Sequence, residues 1–60
     1  MSGIILVRDI MMRNVKTVRP DDSVWEAVSK MNKFHIGSVI VTNNGRPIGI
    51  ITERNILERI

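Results

Sequence analysis

Sixty residues allow one domain, and a chain this short buries only about 60% of the surface its unfolded form exposes. It has no cysteine and one histidine, which excludes disulfide staples and thiolate zinc sites and leaves oligomerisation as the readiest further source of stability. The net charge of +3, from scattered Lys and Arg, suits an anionic ligand without marking a nucleic-acid binder.

Ile4, Ile5, Leu6 and Val7 read as a short extended lead, the longest apolar run and far too short to span a bilayer. Residues 8–12 carry adjacent apolar side chains and read as one helical turn capped by Asp9. Val15, Lys16, Thr17 and Val18 alternate apolar and polar with β-branched residues, as a short strand does, and Pro20 ends it. Residues 20–23 form a turn into a helix. Ser23 and Glu26 have the spacing of a capping box, with Asp22 as a competing cap. Val24, Ala27, Val28 and Met31 recur at helical spacing with Trp25 beside them, so the helix is expected from Ser23 to about Lys33.

Residues 37–42 are a nearly continuous apolar run, the pattern of a strand covered on both faces. Asn43-Asn44-Gly45-Arg46 is a hairpin turn, because Asn-Gly supplies the positive φ values that a tight turn demands. Residues 47–51 return as the partner strand, with Pro47 near its start. The strand stops at the hydroxyl of Thr52, a good N-cap, and Glu53 suits the positive end of the helix that follows. That helix sets Ile56, Leu57 and Ile60 on one side and spaces Arg54 and Glu58 for pairing. Asn55 lies one turn in, and helical side chains lean back towards the N-terminus, so Thr52 and Asn55 can converge on one small polar ligand or serve only as cap and solvated residue.

The order is β-α-β-β-α: an α+β fold with a small three-stranded sheet and helices on one face. Its other face stays wet in a single copy, which predicts self-association. No internal repeat is present. Catalysis is not expected, because one His, no Cys and hydroxyls already engaged as caps leave no nucleophile–base pair. No metal site is expected either, and no Gly-rich phosphate loop with its lysine appears. His35 reads as a solvated or capping imidazole, and Trp25 as packing at the edge of the helix stripe. Met11, Met12 and Met31 read as core or dimer contacts, and Arg8, Arg13, Lys16 and Arg19 as a solvated basic side.

Taken together, Val7-Arg8-Asp9-Ile10-Met11, the Val15–Val24 stretch, Met31 with Ile36–Val41, and Asn44–Leu57 resemble, in order and spacing, a CBS domain, the motif named for cystathionine β-synthase. The resemblance covers about residues 7–60 and makes residues 1–60 a single CBS domain. Such motifs pair through their sheets and helices, and clefts between them bind adenosine-containing ligands that regulate an attached enzyme, channel or transporter. For one motif this implies two CBS motifs pairing by homodimerisation, or a tetramer of stacked pairs. The ligand would be AMP, ADP, ATP or S-adenosylmethionine, with no required cofactor and no membrane insertion, in a cytoplasmic protein.

By resemblance, Thr52 contacts phosphate and Asn55 stands where an Asp more often holds the ribose hydroxyls. Asn accepts through its oxygen without a carboxylate's charge, so its hold is weaker. Thr17, Val18, Ile36 and Ser38 would border the base, Val18 and Ile36 as apolar walls, and Arg54 would reach a phosphate or else pair with Glu58. The expected function is a nucleotide-sensing regulatory module. The alternatives are a dimerisation module without ligand and, behind it, nucleic-acid binding, for which no helix-turn-helix, zinc finger or aromatic platform is present.

Overall fold

Local hydrogen bonds from side chains mark where the three helices begin. The computed structural model describes residues 3–59. The first helical turn, α1 (Val7–Ile10), starts earlier than the sequence suggests. Asp9 sits inside it, not before it, and its carboxylate reaches back to accept the Leu6 N–H at 2.9 Å. The turn closes with Met11 N–H on the Val7 carbonyl at 2.9 Å.

Strand β1 is only Thr17–Val18, two residues shorter than the alternation implies. It runs parallel to β2 (Ser38–Asn43), with Thr17 opposite Ile40 and Val18 opposite Val41. Lys16 still accepts from the Ile40 N–H at 3.2 Å, but Val15 turns to line a cleft instead. After β1 a tight turn closes twice. Asp22 N–H donates to the Arg19 carbonyl (3.1 Å), and the Asp22 carboxylate accepts from the Arg19 N–H (2.8 Å). Asp22 is thereby spent on the turn, and Ser23 caps α2 (Val24–Phe34), accepting the Glu26 N–H at 3.3 Å.

Helix α2 ends where His35 takes the left-handed conformation, φ 55 and ψ 48. A left-handed L-residue costs roughly 1–2 kcal/mol. Glycine removes that strain while giving back part of it through a freer unfolded chain. His35→Gly is therefore expected to raise stability by about 0.5–1 kcal/mol, a melting midpoint about 5 °C higher in a domain of this size. A midpoint that falls instead would show that the imidazole makes contacts worth more than the strain.

The hairpin joins β2 to β3 (Arg46–Thr52) through Asn44 at φ 52 and Gly45 at φ 78, the positive pair expected from the sequence. The antiparallel register sets Val39 opposite Ile51, Ile40 opposite Ile50 and Ser38 opposite Thr52, with a register shift between Val41 and Thr42. The last element, α3 (Glu53–Arg59), follows β3 without a break. Ile60, placed by the sequence on its apolar side, lies outside the described residues.

The sheet order is β1-β2-β3. Side chains alternate across a strand, so Val18, Val39, Val41 and Ile51 share one face. That face meets Ala27 and Met31 of α2, and these with Val18 and Val39 are the buried core. Ile36 and Ile56 pack at its margin. The opposite face carries Thr17, Ser38, Ile40, Ile50 and Thr52. The expectation that β2 is covered on both faces is met on one side only within a single chain. Both helices pack on the core side, and Ile48 and Ile50 are left 58% and 55% exposed. Among the described residues, no helix is long and apolar enough to cross a membrane.

Candidate functional site

Strand alternation places four hydroxyls, those of Thr17, Ser38, Thr42 and Thr52, on the open face of the sheet. Ser38 stands directly opposite Thr52 on β3, and Thr17 flanks Ile40 on β1, two residues along β2 from Ser38. Directly opposed residues in an antiparallel pair hold their Cβ atoms about 4.5–5.5 Å apart, so Ser38 and Thr52 form one polar spot. Thr17 is exposed, and Ser38 and Thr52 are half-buried.

The β3–α3 junction is knitted by two reciprocal bonds. The Thr52 hydroxyl accepts the Asn55 N–H at 3.1 Å, and the Asn55 side-chain oxygen accepts the Thr52 N–H at 3.0 Å. This is a capping box with Asn in the place where Glu or Gln is more usual. Its remaining capacity is three donors and two acceptors: the Thr52 O–H and both amide hydrogens of Asn55 are left over, along with one lone pair on each of the two oxygens. Glu53 N–H, another free donor of a helix start, goes to the Gly37 carbonyl at 3.0 Å. The junction is thus tied to the α2–β2 corner. A Cβ on Gly37 would stand 3.1 Å from the Glu53 carboxylate, a tight contact that the exposed Glu53 side chain would relieve by a small shift.

That corner walls a cleft of about 540 Å³, which Ile36 and Ser38 line together with Met12, Val15, Lys16 and Phe34. Its wall is basic and aromatic. The Lys16 ammonium lies 4.2 Å from the centre of the Phe34 ring, and that of Lys33 lies 5.4 Å from it. Such contacts contribute about 0.5–1 kcal/mol at exposed sites and hold positive charge at the cleft rim. Lys30 reaches from α2 to donate to the Thr17 carbonyl at 2.6 Å, fixing β1 against the helix. A second cleft, of about 420 Å³, lies between α2 and α3, lined by Val28, Met31, Ile36, Ile56 and Leu57 with Glu53.

Of the residues singled out by the sequence, Thr17, Ser38 and Thr52 share the open face, and Ile36 and Ser38 line the basic cleft. Asn55 is exposed and bonded to Thr52, and Arg54 is exposed on the first turn of α3. Val18 turns the other way, into the core, and is not an exposed apolar wall. The sequence reading missed Lys16 and Phe34 as cleft walls, because the residues are far apart in the chain and nothing local links them. It also missed that Thr52 and Asn55 bond to each other, although the Thr-x-x-Asn spacing is that of a capping box.

The sequence profile described as "CBS domain" matches residues 7–60. An uncharacterized 33.4 kDa protein from the ribosomal RNA operon of Thermofilum pendens is 45% identical over 85% of this chain, which spans 17% of that protein. The inosine-5'-monophosphate dehydrogenase of Methanocaldococcus jannaschii is 39% identical over 80% of this chain, which spans 10% of it. Among solved structures, the CBS domain pair of protein MJ0100, in complex with 5'-methylthioadenosine and S-adenosyl-L-methionine, superposes with a TM-score of 0.82 at 35% identity. The match covers 88% of this chain and 44% of that one. A protein with CBS domains from Burkholderia ambifaria superposes equally well, at 0.82 and 26% identity, over 88% of this chain and 39% of its own.

Proposed function

The chain belongs to the CBS domain family, a family of regulatory modules, and on that footing we propose that it binds an adenosine-containing nucleotide in a cleft completed by a second copy of itself. The single motif spans about residues 7–60. The observation that carries this reading is the gathering of Thr17, Ser38 and Thr52 on one open sheet face beside a basic, aromatic cleft. Apolar walls such as Ile36 and Phe34 suit a base, and leftover donors on Thr52 and Asn55 suit a phosphate or sugar oxygen. Lys16 and Arg54 add positive charge for a phosphate. The solved pair that binds 5'-methylthioadenosine and S-adenosyl-L-methionine supports the ligand class.

A second motif on this face is supported by Ile48 and Ile50, which stand exposed on the open side of the sheet, and by the solved structure, which is a pair of such motifs. Binding would then bias a regulated enzyme or transporter. A second reading is favoured by the reciprocal Thr52–Asn55 bonds: those side chains act only as a cap, and the module serves dimerisation alone.

Thermal melts with AMP, ADP, ATP, S-adenosylmethionine and a guanine nucleotide separate the two. A ligand at 100 times its Kd adds about 2.7 kcal/mol, a shift of roughly ten degrees or more here. One adenine ligand is expected to give that shift and the guanine control none. Asn55→Asp is expected to enlarge it, since a carboxylate accepts hydroxyl hydrogen bonds more strongly and keeps the cap. Thr52→Val is expected to lower the unliganded midpoint by the roughly 1 kcal/mol of a lost cap and to abolish the ligand shift. If no adenine ligand moves the midpoint of a cooperatively melting dimer, the dimerisation reading stands.

A further inference from the structure

The cleft at the α2–β2 corner holds one charge of fixed sign. Among the described residues that line it, Lys16 is the one Lys, Arg, Asp or Glu, the rest being apolar or uncharged polar residues and His35. Other cations of the molecule are engaged or stand further off. Lys30 gives its ammonium to the Thr17 carbonyl at 2.6 Å, Lys33 is exposed with its ammonium 5.4 Å from the Phe34 ring centre, and Arg54 lines neither cleft. Lys16 is half-buried, and its ammonium rests 4.2 Å from the centre of the same ring. An aromatic ring attracts a cation through its quadrupole but has no net charge, so the contact steadies the ammonium without neutralising it. Glu53, the acid at this corner, lies against Gly37 and lines the other cleft. Ser38 both lines the Lys16 cleft and stands opposite Thr52, which links the charge to the donors left over at the β3–α3 junction.

We infer that Lys16 selects among adenosine ligands, favouring those that carry a phosphate on the ribose over those that carry a sulfonium or a thioether there. This selection rests on the nucleotide binding proposed above and narrows its ligand class. A phosphate brings about −1.5 to −2 charge near neutral pH, and a charge-assisted hydrogen bond to it is about twice as strong as a neutral one. S-adenosylmethionine presents a sulfonium cation at the same place, which a fixed ammonium in a partly dewatered cleft repels. 5'-Methylthioadenosine presents no charge there and gains nothing from the lysine. The solved CBS domain pair of MJ0100 holds these last two ligands, so the same fold serves either class and the side chains of the cleft make the choice.

Titration calorimetry of the chain with AMP, adenosine, 5'-methylthioadenosine and S-adenosylmethionine tests the selection. AMP is expected to bind about tenfold or more tighter than adenosine, and S-adenosylmethionine more weakly than 5'-methylthioadenosine. Lys16→Gln removes the charge and keeps a polar side chain, so the advantage of AMP should vanish while adenosine binds as before. Lys16→Arg is expected to restore it, because a guanidinium keeps the charge and stacks on the ring. Lys33→Gln is the control and should keep the native order of affinities. Circular dichroism checks that each variant is folded, and the comparison of AMP with adenosine on the native chain needs no substitution. If AMP and adenosine bind the native chain equally, or if the advantage of AMP survives Lys16→Gln, the role of Lys16 is overturned and adenosine binding stands. An equal loss in Lys33→Gln also overturns it, since the selecting charge is then the whole rim. A folded native chain that binds none of the four overturns both.

Discussion

Met31→Ala is expected to leave the chain largely unfolded at physiological temperature. Met31 is one of four buried core side chains among the described residues, 6% exposed, and it joins α2 to the sheet beside Val39, which is 1% exposed. Truncating a buried Met to Ala costs about 2–5 kcal/mol, the sum of lost transfer energy and the cavity left behind. A chain of this length has a total stability of roughly 3–9 kcal/mol. At mid-range values the substitution removes about half of what holds the fold. Heat or urea melts followed by circular dichroism should show the midpoint falling by at least about ten degrees. Met12→Ala is the control: that side chain is exposed, and the change should stay within about 0.5 kcal/mol. If Met31→Ala melts within a few degrees of the native chain, the core is not where the burial pattern puts it.

Ile50→Lys carries the next largest expected effect, on association and not on the fold. Ile50 lies opposite Ile40 on the open face and touches no part of the buried core. In a single copy a lysine there is solvated, so the monomer should fold almost normally. In a two-fold dimer through this face the residue is buried twice. Burying one Ile contributes about 1.5–3 kcal/mol, so losing two weakens the dimer by roughly a thousandfold, before the cost of desolvating two ammonium groups. Sedimentation across a concentration series should show a monomer where the native chain is expected to form a dimer. On the proposed function a second copy completes the ligand cleft, so the adenine-induced melting shift should disappear with the dimer. An Ile50→Lys chain that still dimerises natively would place the interface on another surface.

Much of the fold was legible because the deciding interactions are local. Asn44-Gly45 announces its turn because those residues tolerate positive φ, and both adopt it. Ser23 and Thr52 announce helix starts because a hydroxyl satisfies a free N–H three residues on, and both do so. Residues with two local options were harder. Asp22 had the chemistry of a helix cap, but bonding the Arg19 N–H closed the preceding turn instead. Asp9 acts from inside the helical turn, because its carboxylate can reach backwards as well as forwards.

The sequence by itself determined the element order, the hairpin, the α2 and α3 caps and the resemblance to a family, all of which depend on residues within a few positions of each other or on their pattern along the chain. Only the tertiary structure decided which way each candidate faces. Strand alternation against the helices sent Val18 into the core and brought Thr17, Ser38 and Thr52 to the opposite surface. Folding likewise brought Lys16 over the Phe34 ring and the Glu53 N–H to the Gly37 carbonyl. Those contacts join residues 16 to 18 positions apart, and a pairing at that separation is set by how helices and sheet pack, which no local preference encodes.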